Sequence, residues 1–300
     1  MRSQRTLRAV PPAASLATRR PATLLWVVSV AVALGLVALA VVVPGRGEAR
    51  WSASTTGTAS LTAGEFDTAN SYPQHMFNSG LLGYWRLDET SGTQATDSSP
   101  DPKHHGAYVN GPALGQPGAL VNQTRRSVGF TGSQYVSIPD DGTTFDFTAR
   151  AQYSVEFWVR PARRYSGSDQ WERLVAKQVQ DANGIRGWGV NLYRGPNDTN
   201  MSIQFERVQG NPLITSRAIA ADTWYHVAAV HDGTNMVVYV NGTEAGRVAS
   251  TDSQQDNTAP LTIGARGNGG DAFVGRIDEV AVFGYALNAG QVSGHANATG

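Results

Sequence analysis

The stretch TWYHVAAVHDGTNMVVYVNGTEAG (residues 223–246) decides the fold. Trp224 to Val230 is apolar on both faces, as expected of a strand in the middle of a sheet. Asp232-Gly233-Thr234-Asn235 is turn chemistry, and Met236 to Val240 is a second strand-forming run. Asn241-Gly242 then predicts a type I′ hairpin, because both central positions of that turn need φ > 0. Two turns so close together exclude a helix, and the segment reads as an antiparallel meander.

The same grammar extends outward. Tyr153 to Arg160 alternates, with Tyr153, Val155, Phe157 and Val159 on one face and Ser154, Glu156, Trp158 and Arg160 on the other. Residues 187–194 and 201–206 alternate likewise. Further strands are expected at 81–88, 127–130, 135–138, 173–178, 213–219, 260–265 and 274–283. Only 286–296 (ALNAGQVSGHA) reads as a short helix. About a dozen strands without an internal repeat fit one two-sheet sandwich and disfavour a propeller or solenoid. The composition agrees. Gly is 33 of 300 residues and charged residues are 16%, against roughly 7% and 25% in an average domain.

The formal net charge of zero hides an asymmetry. Residues 1–50 hold seven of the 24 basic and one of the 24 acidic residues, leaving 17 basic against 23 acidic beyond them. That balance argues against a nucleic-acid partner, whose phosphates demand a basic face. Only Lys103 and Lys177 are lysines, which reads as the coding bias of a GC-rich genome. There is no Cys, so disulfides, thiolate zinc sites and a Cys nucleophile are excluded. An exported chain without disulfides fits a bacterial surface.

Export is written into the N-terminus. Arg2, Arg5, Arg8, Arg19 and Arg20 precede an uncharged run, residues 22–43, long enough as a helix (~33 Å) to cross a ~30 Å hydrocarbon core. The Arg excess before it places the N-terminus inside and the remainder outside. Its length favours a retained transmembrane anchor over a cleaved signal peptide, while Ala38-Leu39-Ala40 and Gly47-Glu48-Ala49 have the small residues of a cleavage site. Residues 51–79 read as a flexible Ser/Thr/Gly-rich spacer. The expected organisation is therefore an Arg-rich tip with a signal or anchor helix (1–50), a spacer (51–79) and one domain (80–300).

The order of segments resembles a known family. LLGYWRLDETSGTQATDSS (81–99), YSVEFWVRP (153–161), the 223–246 meander, PLTIGAR (260–266) and FVGRIDEVAVFGYAL (273–287) resemble the laminin G-like jelly-roll family of the concanavalin A-like lectin/glucanase superfamily. The resemblance implies an all-β fold, a two-sheet antiparallel jelly-roll sandwich. It also implies a domain that binds glycans or proteins, often beside calcium, in a superfamily that includes glycosidases.

The glycosidase branch requires two carboxylates flanking the scissile bond. The related β-glucanases carry E-x-D-x-E or E-x-D-x-x-E, and neither occurs here. Glu65-Phe66-Asp67 begins the pattern inside the spacer and stops, and Asp278-Glu279 are adjacent, so on a regular strand they face opposite ways. G-x-S-x-G and H-E-x-x-H are absent. His226 and His231 are five apart and face opposite sides, and His104-His105 is a loop pair, so no zinc site is assembled by spacing.

Calcium is the better-motivated ion, since Asp/Gly/Asn loops can supply its six to eight oxygens. Candidate loops carry Asp97 and Asp101, Asp140-Asp141-Gly142, and Gly269-Gly270-Asp271. By the resemblance, a calcium site lies where the first and last strands meet, which selects Asp97 and Asp278. An Arg or turn-amide partner for Asp278 is the equal alternative. Sugar recognition uses aromatic faces with polar side chains beside them. Trp171, Trp188, Tyr193 and Arg186 are the candidates, with Trp188 set between two glycines that would expose its ring. Trp85 and Trp224 are expected in the core. The Asn-x-Ser/Thr sites are read as turns. The sequence reading is thus an exported, membrane-tethered or secreted, non-catalytic module for a glycan or surface protein. Its alternatives are a self-assembling surface component or a glycosidase with an unusual acid pair.

Overall fold

The computed structural model describes residues 29–33, 36–40, 72, 76, 80–100, 102–120, 125–147, 150–162, 170–181, 184–195, 200–207, 212–250 and 257–298. The chain divides into two units, Met1–Glu65 and Phe66–Gly300.

In the first unit, Ser29–Ala33 (β1) pairs antiparallel with Leu36–Ala40 (β2). The expectation for residues 22–43 was a helix. Val and Ala alternate through Ser29–Ala33, and β-branched residues at period two favour a strand. No helix among the described residues is long and apolar enough to cross a membrane. The two candidate cleavage sites differ in what is described. Ala38-Leu39-Ala40 lies in β2, whereas Gly47-Glu48-Ala49 lies outside the described residues.

The second unit begins with Leu81–Trp85 (β3), Gln94–Ala95 (β4), Gly106–Val109 (β5), Ala113–Pro117 (β6), Arg126–Thr131 (β7) and Tyr135–Ile138 (β8). Tyr153–Pro161 (β9), Gln170–Asp181 (β10), Gly184–Arg194 (β11), Ser202–Glu206 (β12) and Leu213–Ile214 (β13) follow. Tyr225–His231 (β14), Asn235–Val240 (β15), Thr243–Ala249 (β16), Leu261–Ile263 (β17) and Val274–Phe283 (β18) complete the strands. One sheet runs β13-β12-β11-β10-β17-β8-β5-β4, and the other β16-β15-β14-β9-β18-β7-β6, with β3 also on β18. Every pairing between these named strands is antiparallel. The predicted hairpin is present: Asn241 has φ 50° and Gly242 φ 75°, and β15 pairs with β16 from Val240↔Thr243 to Asn235↔Ala249.

Alternation builds the main core between the sheets. Tyr153, Val155, Phe157 and Val159 meet Val175, Trp188, Val190 and Phe205 from the other sheet. Trp85 is fully buried as expected, whereas Trp224, expected in the core, is only half-buried just ahead of β14. The short strands β4, β5 and β6 were not foreseen, because two to five residues interrupted by Gly and Pro carry too few alternations. The segment expected as strand 213–219 is a ladder for two residues only, with Ile219 bridging back to Met201.

A second core covers the outer face of the β14–β9–β18 sheet. It gathers Tyr72, Met76, Leu81, Tyr84, Ala228, Val230, Phe283, Leu287 and Val292. The C-terminal helix Ala289–Ala296 supplies one side of it, started by a capping box in which Asn288 and Gln291 exchange hydrogen bonds. Tyr72 and Met76, helical and one turn apart, supply the other. These two residues lie in the expected spacer, so the domain reaches back before residue 80. The rest of residues 51–79 lies outside the described residues.

This second layer buries the polar face of β9. Glu156 accepts hydrogen bonds from Tyr72 Oη (2.9 Å), and its oxygens lie 2.8 Å from His226 Nε2 and 2.8 Å from His295 Nδ1. Burial pushes its pKa up, but the two histidines more than offset this and bring it from 4.5 to about 2. Glu156 therefore contributes stability that is lost as pH falls from 4.5 towards 2. Tyr72→Phe removes one buried partner of this carboxylate and should cost about 1–3 kcal/mol in urea unfolding. A chain cut at residue 80 should be less stable than one cut at residue 66, and equal stability would place Tyr72 and Met76 outside the cooperative fold.

Candidate functional site

The outer face of the other sheet carries the candidate site. Register fixes which side chains share it. Trp171 pairs with Tyr193 and Tyr193 with Ser202; the next row on is Arg173, Asn191 and Gln204; beyond it lie Ala176, Gly189 and Glu206. The Trp171 and Tyr193 rings lie 5.4 Å apart at 38°. Trp171 is 40% exposed, one of two large exposed hydrophobics among the described residues; Ile214, on β13 opposite Gln204, is the other.

Behind this aromatic pair the face is polar and buried. Arg173 reaches Glu206 and Asp271, each at 3.3 Å. Gln178 donates to Glu206 at 3.3 Å, and Asn191 donates to Gln204 at 2.9 Å. Arg266 also binds Asp271. The carboxamide oxygens of Gln178 and Asn191 are buried acceptors without a hydrogen-bond partner among the described residues.

Two of the four expected ligand residues are thus brought together, and two are not. Trp188 is fully buried in the main core, where its Nε1 donates to the Phe145 carbonyl at 3.0 Å. It is no ligand platform. The reason is parity: Trp188 and Tyr193 are five apart on an unbroken strand and face opposite ways. The glycines beside Trp188 face outward and leave its ring covered. Gly187 has φ 98°, and a Cβ there would lie 2.0 Å from the Lys177 carbonyl. Arg186 shares Trp188's parity and is half-buried on that side of β11. Sequence reasoning missed Arg173, Asn191, Gln204 and Glu206. Their signal was alternation through residues 171–178 and 202–206, blurred by a bulge between Arg173 and Val175.

Both carboxylates of the expected calcium pair have protein partners. Asp97 is buried and spent on backbone amides: Oδ1 accepts from Tyr84 (2.9 Å) and Ser99 (2.8 Å), and Oδ2 from His104 (2.7 Å). It is a turn organiser. Among the described residues no group of three His, Asp or Glu side chains is placed to hold a metal. Asp278 instead accepts from the Ala119 amide at 2.8 Å, close to the turn-amide alternative. Of the other candidate acids, Asp141 caps its own turn through Thr143 and Thr144, and Asp101 lies outside the described residues.

Asp278 and Glu279 sit on a bulge. β18 pairs with β7 through Ile277 and with β3 from Val280 onward, and the change of partner falls between them. Glu279 takes φ 52°, which shifts the alternation so that Ile277 and Val280 both enter the main core. Glu279 is held by the Tyr84 hydroxyl and lies 3.6 Å from Arg125. Burial and the neighbouring Glu279 charge push Asp278 well above the carboxylate range. Burial raises Glu279 from 4.5 to about 7, against Tyr84, Arg86 and Arg125.

The matching family model, for the concanavalin A-like lectin/glucanases superfamily, spans residues 130–293. The chain belongs to this superfamily. Its domain is a laminin G-like jelly roll, a carbohydrate-binding type of fold. The binding domain of Paraclostridial Mosquitocidal Protein 1 is similar at 17% identity and TM-score 0.52, covering 73% of this chain and 52% of that one. The binding domain of Botulinum Neurotoxin DC in complex with SialylT is similar at 12% identity and TM-score 0.51, over 74% and 52%. Trypanosoma rangeli sialidase in complex with sialic acid is similar at 14% identity and TM-score 0.53, over 75% and 36%. The chain thus spans about half the length of the toxin domains and about a third of the sialidase. No curated protein matches the chain.

Two outcomes test this geometry. Trp188→Ala should cost about 3–5 kcal/mol of stability, read by chemical unfolding; a loss below about 1 kcal/mol would contradict its core role. Glu279 has a raised pKa, so its contribution is greatest when it is protonated and falls as pH rises from 4.5 through about 7. Glu279→Gln should flatten the stability profile across that interval, and an unchanged slope would rule this origin out.

Proposed function

We propose that this chain is a non-catalytic glycan-binding module displayed outside the cell. The observation that carries the proposal is the Trp171–Tyr193 pair, with its exposed Trp171, set one row from the Arg173–Asn191–Gln204 floor. Aromatic faces cover sugar C–H groups while fixed polar side chains take the hydroxyls. The floor's cations are matched: Arg173 by Glu206 and Asp271, Arg266 by Asp271. Glu206 and Asp271 are the carboxylates of this floor, and both are engaged by Arg173. A glycosidase would need one carboxyl free to act as acid, so this arrangement supports binding rather than hydrolysis.

Display outside the cell rests on the N-terminal run. In hydrocarbon a two-stranded pair leaves its outer backbone groups unsatisfied, whereas a helix satisfies them all. Residues 22–43 are therefore proposed to insert as a helical anchor with the N-terminus inside, or to serve as a signal that is removed. Self-assembly through sheet edges has less support. The edges β13 and β4 are two residues long, and edge β16 carries Glu244 and Arg247, features that discourage edge pairing.

A glycan array probed with the full chain should give defined hits. Trp171→Ala should weaken them at least tenfold while changing stability by less than about 1 kcal/mol. Hits that survive Trp171→Ala and Tyr193→Ala would move the site off this face, and a blank array would favour a protein partner.

A further inference from the structure

Lys177 is an anomaly in this chain. It is one of two lysines among 24 basic residues. It lies on β10 opposite Trp188, on the inner face, and is only 1% exposed. A lone buried ammonium is costly, yet this one is surrounded by oxygens. Its Nζ lies 2.7 Å from Asp146 Oδ1 and 2.9 Å from Asp140 Oδ1. It donates to the Asn257 carbonyl at 2.7 Å and lies 3.2 Å from the Ala259 carbonyl.

Two carboxylates and two backbone carbonyls from separate loops are the ligand chemistry of a hard divalent cation. The distances, however, are those of N–H···O hydrogen bonds, about 2.7–3.2 Å, not the ~2.3–2.6 Å of calcium to oxygen. The loops held are structural ones. Asp140 and Asp146 flank a segment tied down by Trp188 through the Phe145 carbonyl, and Phe145 packs in the main core. Asn257 and Ala259 lead into β17, which pairs with β10 at Val175 and Ala176. A planar guanidinium suits this convergent cage poorly, whereas a compact ammonium fits it. That accounts for a lysine here in a chain where 22 of the 24 basic residues are arginine.

We infer that the Lys177 ammonium is a built-in cation, clamping the 140–146 and 257–259 loops as a divalent ion would. The clamp is supplied by the chain itself and does not depend on calcium supply. The inference is independent of what the outer face binds.

Thermal unfolding of the full chain in detergent, followed by tryptophan fluorescence, tests it. The native chain should unfold at the same temperature in millimolar calcium and in chelator. Lys177→Ala in chelator should unfold about 10 °C lower, as expected for breaking a buried charge cluster. Millimolar calcium should then restore at least half of that loss, and terbium luminescence should be sensitised in this variant and not in the native chain. Lys177→Met, which keeps the stem but not the charge, should be destabilised without calcium rescue. A native midpoint lowered by chelator, a Lys177→Met variant as stable as the native chain, or a folded Lys177→Ala variant indifferent to calcium would each overturn the inference. If Lys177→Ala does not fold in chelator, refolding it in calcium and in chelator decides between rescue and failure.

Discussion

The strand Tyr153–Pro161 is buried on both faces, and the rest of the structure is arranged around that constraint. Its apolar face closes the space between the sheets. Its other face carries Ser154, Glu156 and Trp158, which no solvent-facing strand would need to hide. An ionised carboxylate at that depth is tolerated only with donors around it. Tyr72, His226 and His295 provide them from three different elements. Tyr72, from ahead of the first sandwich strand, and the last helix are thereby bound to one side chain in the middle of one sheet.

The covering of that sheet leaves the two sheets with different duties. One has its outer face closed by the chain's own helical residues and the second core. The other keeps its outer face for a networked polar floor and an exposed aromatic pair. The polar groups there are fixed by one another through ion pairs and hydrogen bonds. The same sheet's inner face is anchored at its rim by Trp188 and Lys177, paired across β10 and β11. Outward-facing and inward-facing residues therefore alternate along the same two strands.

The fork in β18 shows how a local irregularity can carry global consequences. A single strand serves β7 with its first half and β3 with its second. The bulge at Asp278 and Glu279 allows that change of partner and brings both carboxylates to buried positions where burial disfavours their charge. Bulges of this kind re-aim side chains at the cost of regular pairing. This pair was legible in the sequence as an oddity, two acids inside an apolar run. Its partners were not, because Tyr84, Ala119 and Arg125 come from distant parts of the chain.

Alternation determined the all-β class, most strand positions and the inward face of β9, and the Asn-Gly turn chemistry determined the 241–242 hairpin, because both are local properties of the backbone. The same rule, applied to the distance between positions 188 and 193, already separates Trp188 from Tyr193; the candidate ligand set joined them by residue type alone. What only the tertiary structure decided was every pairing of side chains from distant strands: Trp171 beside Tyr193, the donors around Glu156, the amides that occupy Asp97, and the oxygens around Lys177. Strand register and bulges set those contacts, and both depend on which strands become neighbours, a choice made by burial of the whole sandwich rather than by any one segment.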